Sequence, residues 1–331
     1  MTWVVTGAAG FIGTNLCIEL VRLGKEVVLI DDLSRTNVVE NANFLKSRHN
    51  LDTKIIDVSN WKELKTGLGE LEEIEIIIHL AGQVSFLASI SDPRRDFEIN
   101  ALGTLNILEY VRIYSPNTVV IGMSSNKLYG DLSDIKIIES KKRYLAPDFP
   151  LGFNESCKLD FHGPYGCSKG VADQYLLDYH RLFGLKTMSL RQSSVYGNFQ
   201  KPTSDQGWLA FLLQEAKSGR EINLNGKGKQ VRDLLYVGDL VELFLRLSNM
   251  PVENYGYGVN VGGGVHNSLS ILELFEILED MLRKKITYKF GEERPSDQKI
   301  FISDNLLVNR LTNWKPKVPI SQGLSTLIAK D

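Results

Sequence analysis

Val4-Val5-Thr6-Gly7-Ala8-Ala9-Gly10-Phe11-Ile12-Gly13 is the stretch on which the fold turns. An apolar strand runs into three glycines, and the last of them lies inside an apolar helical pattern over Ile12–Leu23. Gly7 permits a tight turn, Gly10 lets backbone approach a pyrophosphate, and Gly13 allows helix and strand to pack closely. Unpaired N–H groups and the dipole at the helix start favour an anion, which makes Gly10, Phe11, Ile12 and Gly13 candidate phosphate contacts. The spacing is G-x-x-G-x-x-G, not G-x-G-x-x-G, so the surrounding pattern has to carry the reading.

Outward from this turn, strand and helix patterns alternate. Trp3–Thr6, Val27–Ile30, Lys54–Asp57, Glu75–Leu80 and Thr118–Met123 read as strands, and Leu102–Ile113 repeats apolar residues at helical spacing. Near-continuous apolar strands in a β-α-β rhythm imply a parallel sheet covered on both faces. The rhythm stops between Asp131 and Asp160, where Pro147, Pro150 and Gly152 mark a long ordered excursion or a lid. It resumes with a helix at about Tyr165–Phe183 and a strand at Thr187–Arg191. Beyond Tyr196-Gly197 the order loosens, with helices near Gly207–Ser218, Asp239–Leu247 and Leu269–Leu282, and Val259–Val261 placed to rejoin the sheet. The expected fold class is α/β, a Rossmann-type doubly wound parallel sheet with a smaller, mostly C-terminal substrate domain. Residues 1–190 would form the dinucleotide domain and 191–331 mainly the substrate domain, with segments near 231–262 returning to the large one.

Composition removes several function classes. Lys plus Arg is 38 against 40 for Asp plus Glu, so no basic excess exists to follow a nucleic-acid backbone. Cys17, Cys157 and Cys167 have no C-x-x-C spacing, which suggests neither a disulfide scaffold, a metal site nor a redox pair. Apolar runs such as Ile76-Ile77-Ile78 fall far short of a membrane span, and the start of the chain lacks a leader pattern. A cytoplasmic protein without membrane or nucleic-acid partners is expected.

Asp31 ends the second strand where an acidic side chain would accept hydrogen bonds from an adenosine ribose. Its charge would repel a ribose 2′-phosphate, favouring NAD over NADP, although Arg35 nearby pulls the other way. Asp32 and Ser34 flank that position, and Asp57 with Val58 ends the third strand within reach of adenine. Each Asp has an alternative duty as a cap for the next element. Tyr165 and Lys169 are four residues apart, hence on one helix face. A Tyr titrating near ~10 needs neighbouring positive charge to act as a base at neutral pH. Such a Tyr can take the proton of a sugar hydroxyl, and Ser124-Ser125 at the end of an apolar strand supplies a second hydroxyl.

These motifs, in this order, resemble the extended short-chain dehydrogenase/reductase family of nucleotide-sugar epimerases and dehydratases. The resemblance spans nearly the whole chain through the glycine turn, His79-Leu80-Ala81-Gly82, Asn100, Ser124-Ser125, Tyr165 to Lys169, and Gln230-Val231-Arg232-Asp233. It implies that Tyr165 carries the proton with help from Ser125. Lys169 would also bind the nicotinamide ribose, while Asn100 orders the cofactor site. NAD would be held tightly and recycled within each turnover.

Ser124 to Asp131, Leu159 to Gly170, Ala172 to Tyr175, Asp205-Gln206-Gly207-Trp208 and Ser296-Asp297-Gln298 resemble a narrower subgroup. That subgroup acts at C2 of CDP-linked 3,6-dideoxyhexoses. Asn126-Lys127 stand where a dehydratase of the family carries an Asp-Glu pair, so dehydration is not expected. Gln192 replaces a His of the subgroup pattern. By resemblance, Gln83, Ser125, Asn126, Lys127, His162, Gln192, Ser194 and Trp208 would surround the sugar. Arg232 and Arg294 would hold the diphosphate, Arg being suited to phosphate by its rigid donor fork. Trp208 has a core-filling alternative, His162 a packing one, and each Arg a surface ion-pair one. The helices near Leu102–Ile113 and Tyr165–Phe183 would pair across a homodimer, alone or within a homotetramer. A UDP-hexose 4-epimerase, a nucleotide-sugar reductase and a non-catalytic nucleotide sensor are the competing functions.

Overall fold

The apolar runs pair into one seven-stranded sheet in the computed structural model. The described residues are all but 70, 72, 202, 204–206, 293–297 and 330–331, and the side chains of 36 and 37 are also left aside. In chain order the sheet strands are β1 Thr2–Thr6, β2 Val27–Asp31, β3 Thr53–Ile55, β4 Ile74–His79, β5 Val119–Ser125, β6 Lys186–Gln192 and β7 Gly258–Val261. They lie side by side as β7-β6-β5-β4-β1-β2-β3, and every pairing is parallel. The order reverses between β1 and β4, which opens a crevice beyond their carboxyl ends.

Both faces of the sheet are covered, as the apolar runs require. Trp3, Val5, Ile76, Ile78 and Ile121 face one side, where Leu16 and Leu20 of the helix Phe11–Arg22 meet Leu240, Phe244 and Leu247 of the helix Val237–Leu247. Val4, Ile77 and Val120 face the other, against Ile107, Leu108 and Leu176 of the helices Gly103–Tyr114 and Gly163–Phe183. Adjacent residues within one run therefore feed opposite cores, the period-two geometry of a strand.

The smaller unit is built around Val231–Tyr236. This strand pairs parallel with Ser194–Tyr196 and Ile300–Phe301 and antiparallel with Ser268–Ser270. Its own core gathers Leu209, Leu213, Leu269, Phe275 and Leu278. The helix Thr36–His49 has no counterpart in the periodic reading, because only Val38, Asn41 and Leu45 among its described side chains are buried. Three burials in a polar segment are too few to show as a stripe.

The excursion at 131–160 is a packed strap, not a lid. Tyr144 and Phe153 join Val231 and Phe301 in one cluster, and the Phe153 N–H donates to the Ile302 carbonyl at 2.7 Å. Gly152 sits at φ +98°, where a Cβ would fall 2.6 Å from that same carbonyl oxygen. Only glycine lets the backbones approach this closely.

A buried ion pair ties strap, helix and sheet together. Arg191 on β6 donates through Nη2 to Asp173 at 2.8 Å, with side-chain exposures of 5% and 0%. Asp173 also accepts from Ser189 Oγ at 2.5 Å, while Arg191 Nη1 donates to Tyr129 Oη at 3.2 Å. Tyr129 in turn donates to Asn260, whose amide donates to the Phe153 carbonyl. Removing one partner leaves a buried charge uncompensated. Asp173→Ala should therefore lower the unfolding free energy by ~3–5 kcal/mol, read from urea melts against the parent protein.

Candidate active site

A cavity of ≈ 580 Å³ lies at the carboxyl edge of the sheet and extends to Trp208 and Leu209 of the smaller unit. Its floor begins at the glycine turn. Gly7 holds φ +65°, and a Cβ there would meet the Ala81 nitrogen at 2.7 Å. A Cβ on Gly13 would come within 2.4 Å of the Gly7 oxygen. The helix starting at Phe11 has Gly10 as its N-cap, no side-chain cap and no acidic residue in its first turn. Its N–H groups and dipole thus face the cavity, whose lining includes Gly7, Gly10, Phe11, Ile12 and Gly13. This cradle fits a pyrophosphate.

The end of the cavity beyond β2 and β3 is lined by Asp31, Asp32, Ser34, Arg35, Asp57 and Val58, the residues expected to meet an adenosine. Asp31 is 8% exposed and accepts from the Ala9 and Leu33 N–H groups, each at 3.0 Å. Burial raises its carboxyl above the usual range, and those two N–H groups work against the rise. Asp31 therefore braces the glycine turn as well as facing the cavity, so capping and lining coexist in one residue. Asp57 accepts from Ser59 and, at 2.7 Å, from Arg95. Burial works to raise Asp57, but Ser59 and Arg95 outweigh it and hold the carboxyl below its ordinary value.

Leu80, Ala81, Gly82 and Gln83 form the wall that follows β4. Gly82 leaves room for two side-chain ends: a Cβ on it would lie 2.9 Å from Lys169 Nζ and 3.1 Å from Asn100 Oδ1. Opposite stand Ser125, Asn126, Tyr165 and Lys169. Tyr165 and Lys169 share the buried face of their helix, and Ser125 lines the same cavity beside the Tyr165 phenol. Burial pushes the phenol above its ordinary value, the Ser125 hydroxyl opposes this, and the charge of Asp96 adds to the rise. Burial also draws Lys169 down to about 8, with Asp96 pulling the other way. Lys169 Nζ donates to the Met123 carbonyl at 3.1 Å. Ser194 and Trp208 close the far end of the cavity together, the indole donating to Ser194 Oγ at 3.2 Å, and Gln192 lines the same end.

Comparison with known proteins places this geometry. The profile of the NAD dependent epimerase/dehydratase family matches residues 3–262. The chain belongs to that family. It is 42% identical to the CDP-paratose 2-epimerase of Salmonella typhi, covering 99% of this chain and 98% of that protein. It is 29% identical to a putative UDP-glucose 4-epimerase of Methanocaldococcus jannaschii, over 98% of this chain and 96% of that one. Among solved structures, the Thermotoga maritima UDP-glucose 4-epimerase with UDP-glucose superposes with a TM-score of 0.84 at 27% identity, covering 99% and 98% of the two chains. The UDP-glucose 4-epimerase of Thermus thermophilus, in complex with NAD, gives 0.81 at 26% identity, again over 99% and 98%. This epimerase/dehydratase is accordingly an enzyme with NAD as its cofactor.

Several anticipated residues of the epimerase/dehydratase lie off the cavity lining. Asn100 stands behind Gly82 in a wide π turn at Glu98–Leu102, accepting from the Gln83 N–H at 3.0 Å. Ser124 is buried within β5, and Lys127 offers its backbone N–H to Ser125 Oγ at 3.2 Å. His162 lies between Asp131 and Asp160, at 2.6 Å and 3.1 Å, where it fastens the start of the Tyr165 helix to the strap. Arg232 donates to the Val231 carbonyl at 2.8 Å on a strand beside the cavity. Arg294, Asp205, Gln206, Ser296 and Asp297 lie outside the described residues.

The structure also gives roles to residues whose duties no spacing announces. Gln298 is fully buried, accepts from Asn126 Nδ2 at 3.1 Å and donates to the Asn126 and Gly130 carbonyls, so it sets the pose of Asn126. Asp96 and Ser168 form a buried network with Asn100, and Arg95 bridges Asp57 toward Asp32. Their signal is mostly tertiary: Ser168 meets Asp96, Asp57 meets Arg95 and Gln298 meets Asn126 from far along the chain. Because Gly82 makes room for the ammonium, Gly82→Ala should displace Lys169 and cut kcat by ~10²-fold while the melting temperature barely moves. Steady-state kinetics with a thermal melt on the same preparation checks both halves.

Proposed function

We propose that this protein epimerises C2 of a CDP-linked 3,6-dideoxyhexose, interconverting CDP-paratose and CDP-tyvelose through a transient 2-keto sugar. The observation that carries the proposal is its end-to-end likeness to a CDP-paratose 2-epimerase, 42% identical over 99% of this chain. The site supports epimerisation over dehydration. Asn126, held by Gln298, stands next to Ser125 where water loss would require a carboxyl group.

The chain's own side chains account for the proton. Tyr165, as phenolate, takes the proton of the C2 hydroxyl, and Ser125 hydrogen-bonds the reacting oxygen. NAD, held along Gly7, Gly10, Asp31 and Lys169, would supply the hydride acceptor and donor for C2. The ketone left in the site presents its other face between the two transfers, and Tyr165 then gives the proton back to oxygen. Lys169, in its buried place beside Gly82, supplies positive charge under the reaction and a donor for the nicotinamide ribose. Ser194, Trp208, Gln192 and Asn126 form the wall against which the sugar turns. By family resemblance alone, Arg232 and Arg294 are assigned to the diphosphate.

Exposed apolar side chains support a homodimer. Tyr114, Tyr175, Leu182 and Phe183 lie open on the helices Gly103–Tyr114 and Gly163–Phe183, with Leu182 65% exposed. A second copy placed on this face would bury them in a four-helix contact.

The purified protein, given CDP-paratose and no added cofactor, should produce CDP-tyvelose, followed at the C2 proton by NMR. Turnover of a UDP-hexose instead would transfer the assignment to the 4-epimerases, a reading favoured by the UDP-glucose 4-epimerase relatives. Tyr165→Phe should lower turnover by at least ~10²–10⁴-fold while keeping NAD bound. Deuterium at C2 should stay on the product carbon; exchange with solvent would point to enolisation.

A further inference from the structure

Asp96 is 1% exposed, and its carboxylate is held by neutral donors. It accepts from Ser168 Oγ at 2.5 Å, Gln83 Nε2 at 2.9 Å and Asn100 Nδ2 at 3.2 Å. Ser168 belongs to the turn between Tyr165 and Lys169, and its hydroxyl lies 3.2 Å from the Tyr165 carbonyl. Gln83 lines the cavity opposite that turn. One buried carboxylate thus grips both walls of the site.

The other ionisable groups around Asp96 are engaged elsewhere. On its own turn, Arg95 reaches Asp57 at 2.7 Å and Arg94 reaches Glu98 at 3.3 Å. Asp92 caps the turn by accepting from the Arg95 N–H. From β4, His79 is buried between Thr6 and Thr104, and burial keeps it neutral with a value of about 3. The adjacent helix Phe86–Ser91 and the segment 80–85 carry no ionisable side chain. Cys167 on the Tyr165 helix is exposed. Among the described residues, Lys169 and Tyr165 feel the charge of Asp96.

We propose that Asp96 is a positioning residue whose carboxylate supplies the fixed negative charge of the Tyr165–Lys169 pair and locks their helix turn to Gln83. The proposal rests on Tyr165 being the proton carrier, but not on which sugar is turned over. An anion stabilises ammonium and opposes phenolate, so Asp96 raises the pH at which each group loses its proton. Its removal makes both lose their protons at lower pH. The two limbs of a bell-shaped pH–rate profile then move the same way, whereas loss of packing alone lowers the bell without moving it.

The test uses the NAD-loaded protein. Ultraviolet titration of tyrosinate, with the Tyr165→Phe signal subtracted, isolates the ionisation of Tyr165 without any substrate. In Asp96→Asn that ionisation should fall by about one pH unit, and both limbs of the pH–rate profile should move to lower pH. Asp96→Glu, which keeps the charge, should titrate closer to the parent protein. Should the Asn chain fail to fold, Asp96→Ser carries the same comparison. A Tyr165 ionisation at the parent pH or above, or a profile reduced in height alone, would overturn the proposal. If the C2 assignment is at fault, the parent protein fails to turn over CDP-paratose, and the tyrosinate titration still decides the role of Asp96.

Discussion

The rest of the site depends on how closely the turn after β1 approaches the segment after β4. Gly7 has no Cβ, and one placed there would overlap the Leu80–Ala81 backbone. Two bonds seal the approach: the Leu80 N–H donates to the Thr6 carbonyl at 3.1 Å, and the Ala81 N–H to Thr6 Oγ1 at 3.2 Å. Asp31 adds the end of β2 through the Ala9 N–H. Three parallel strands thereby finish in one wall, with the uncapped helix start aimed across it. A parallel sheet delivers all its carboxyl ends to one edge, which is why these segments line a single cavity.

Buried carboxylates then join this wall to segments far along the chain. An ionised carboxyl has several acceptor positions and no donor, so one Asp can gather many N–H and O–H groups. Asp233 is fully buried and accepts from Ser193 Oγ, the Gly264 N–H and the Ser303 N–H, which brings the smaller unit back onto the sheet. Asp239 takes the Lys317 and Val318 N–H groups and so fixes the C-terminal segment. Asp173 does the same for β6 and the Tyr165 helix, and Asp96 for the two cavity walls. Leaving such a group without its donors costs a buried charge. These joints bring Ser194 and Trp208 onto the same cavity as Tyr165.

The glycine turn and the parallel strands were legible because their causes are local. Backbone φ at Gly7, the apolar runs and the four-residue step from Tyr165 to Lys169 are properties of neighbouring residues. Burial on two faces also shows in sequence, since Val4 and Val5 enter different cores while both remain apolar. The strap at 131–160 was visible as a break in the rhythm, but its docking was not. That docking depends on Phe153 meeting Ile302 and Asn260, residues more than a hundred positions away.

By itself, the sequence determined the doubly wound sheet, the phosphate cradle and the helix face that carries Tyr and Lys, each set by short-range sterics and periodicity. Only the tertiary structure decided that Asp96 stands behind Lys169, that Gln298 poses Asn126, and that Asn100, Lys127, His162 and Arg232 lie off the cavity lining. The physical reason is range. A hydrogen bond or a Coulomb interaction acts over a few ångströms, and which groups come that close is settled by packing.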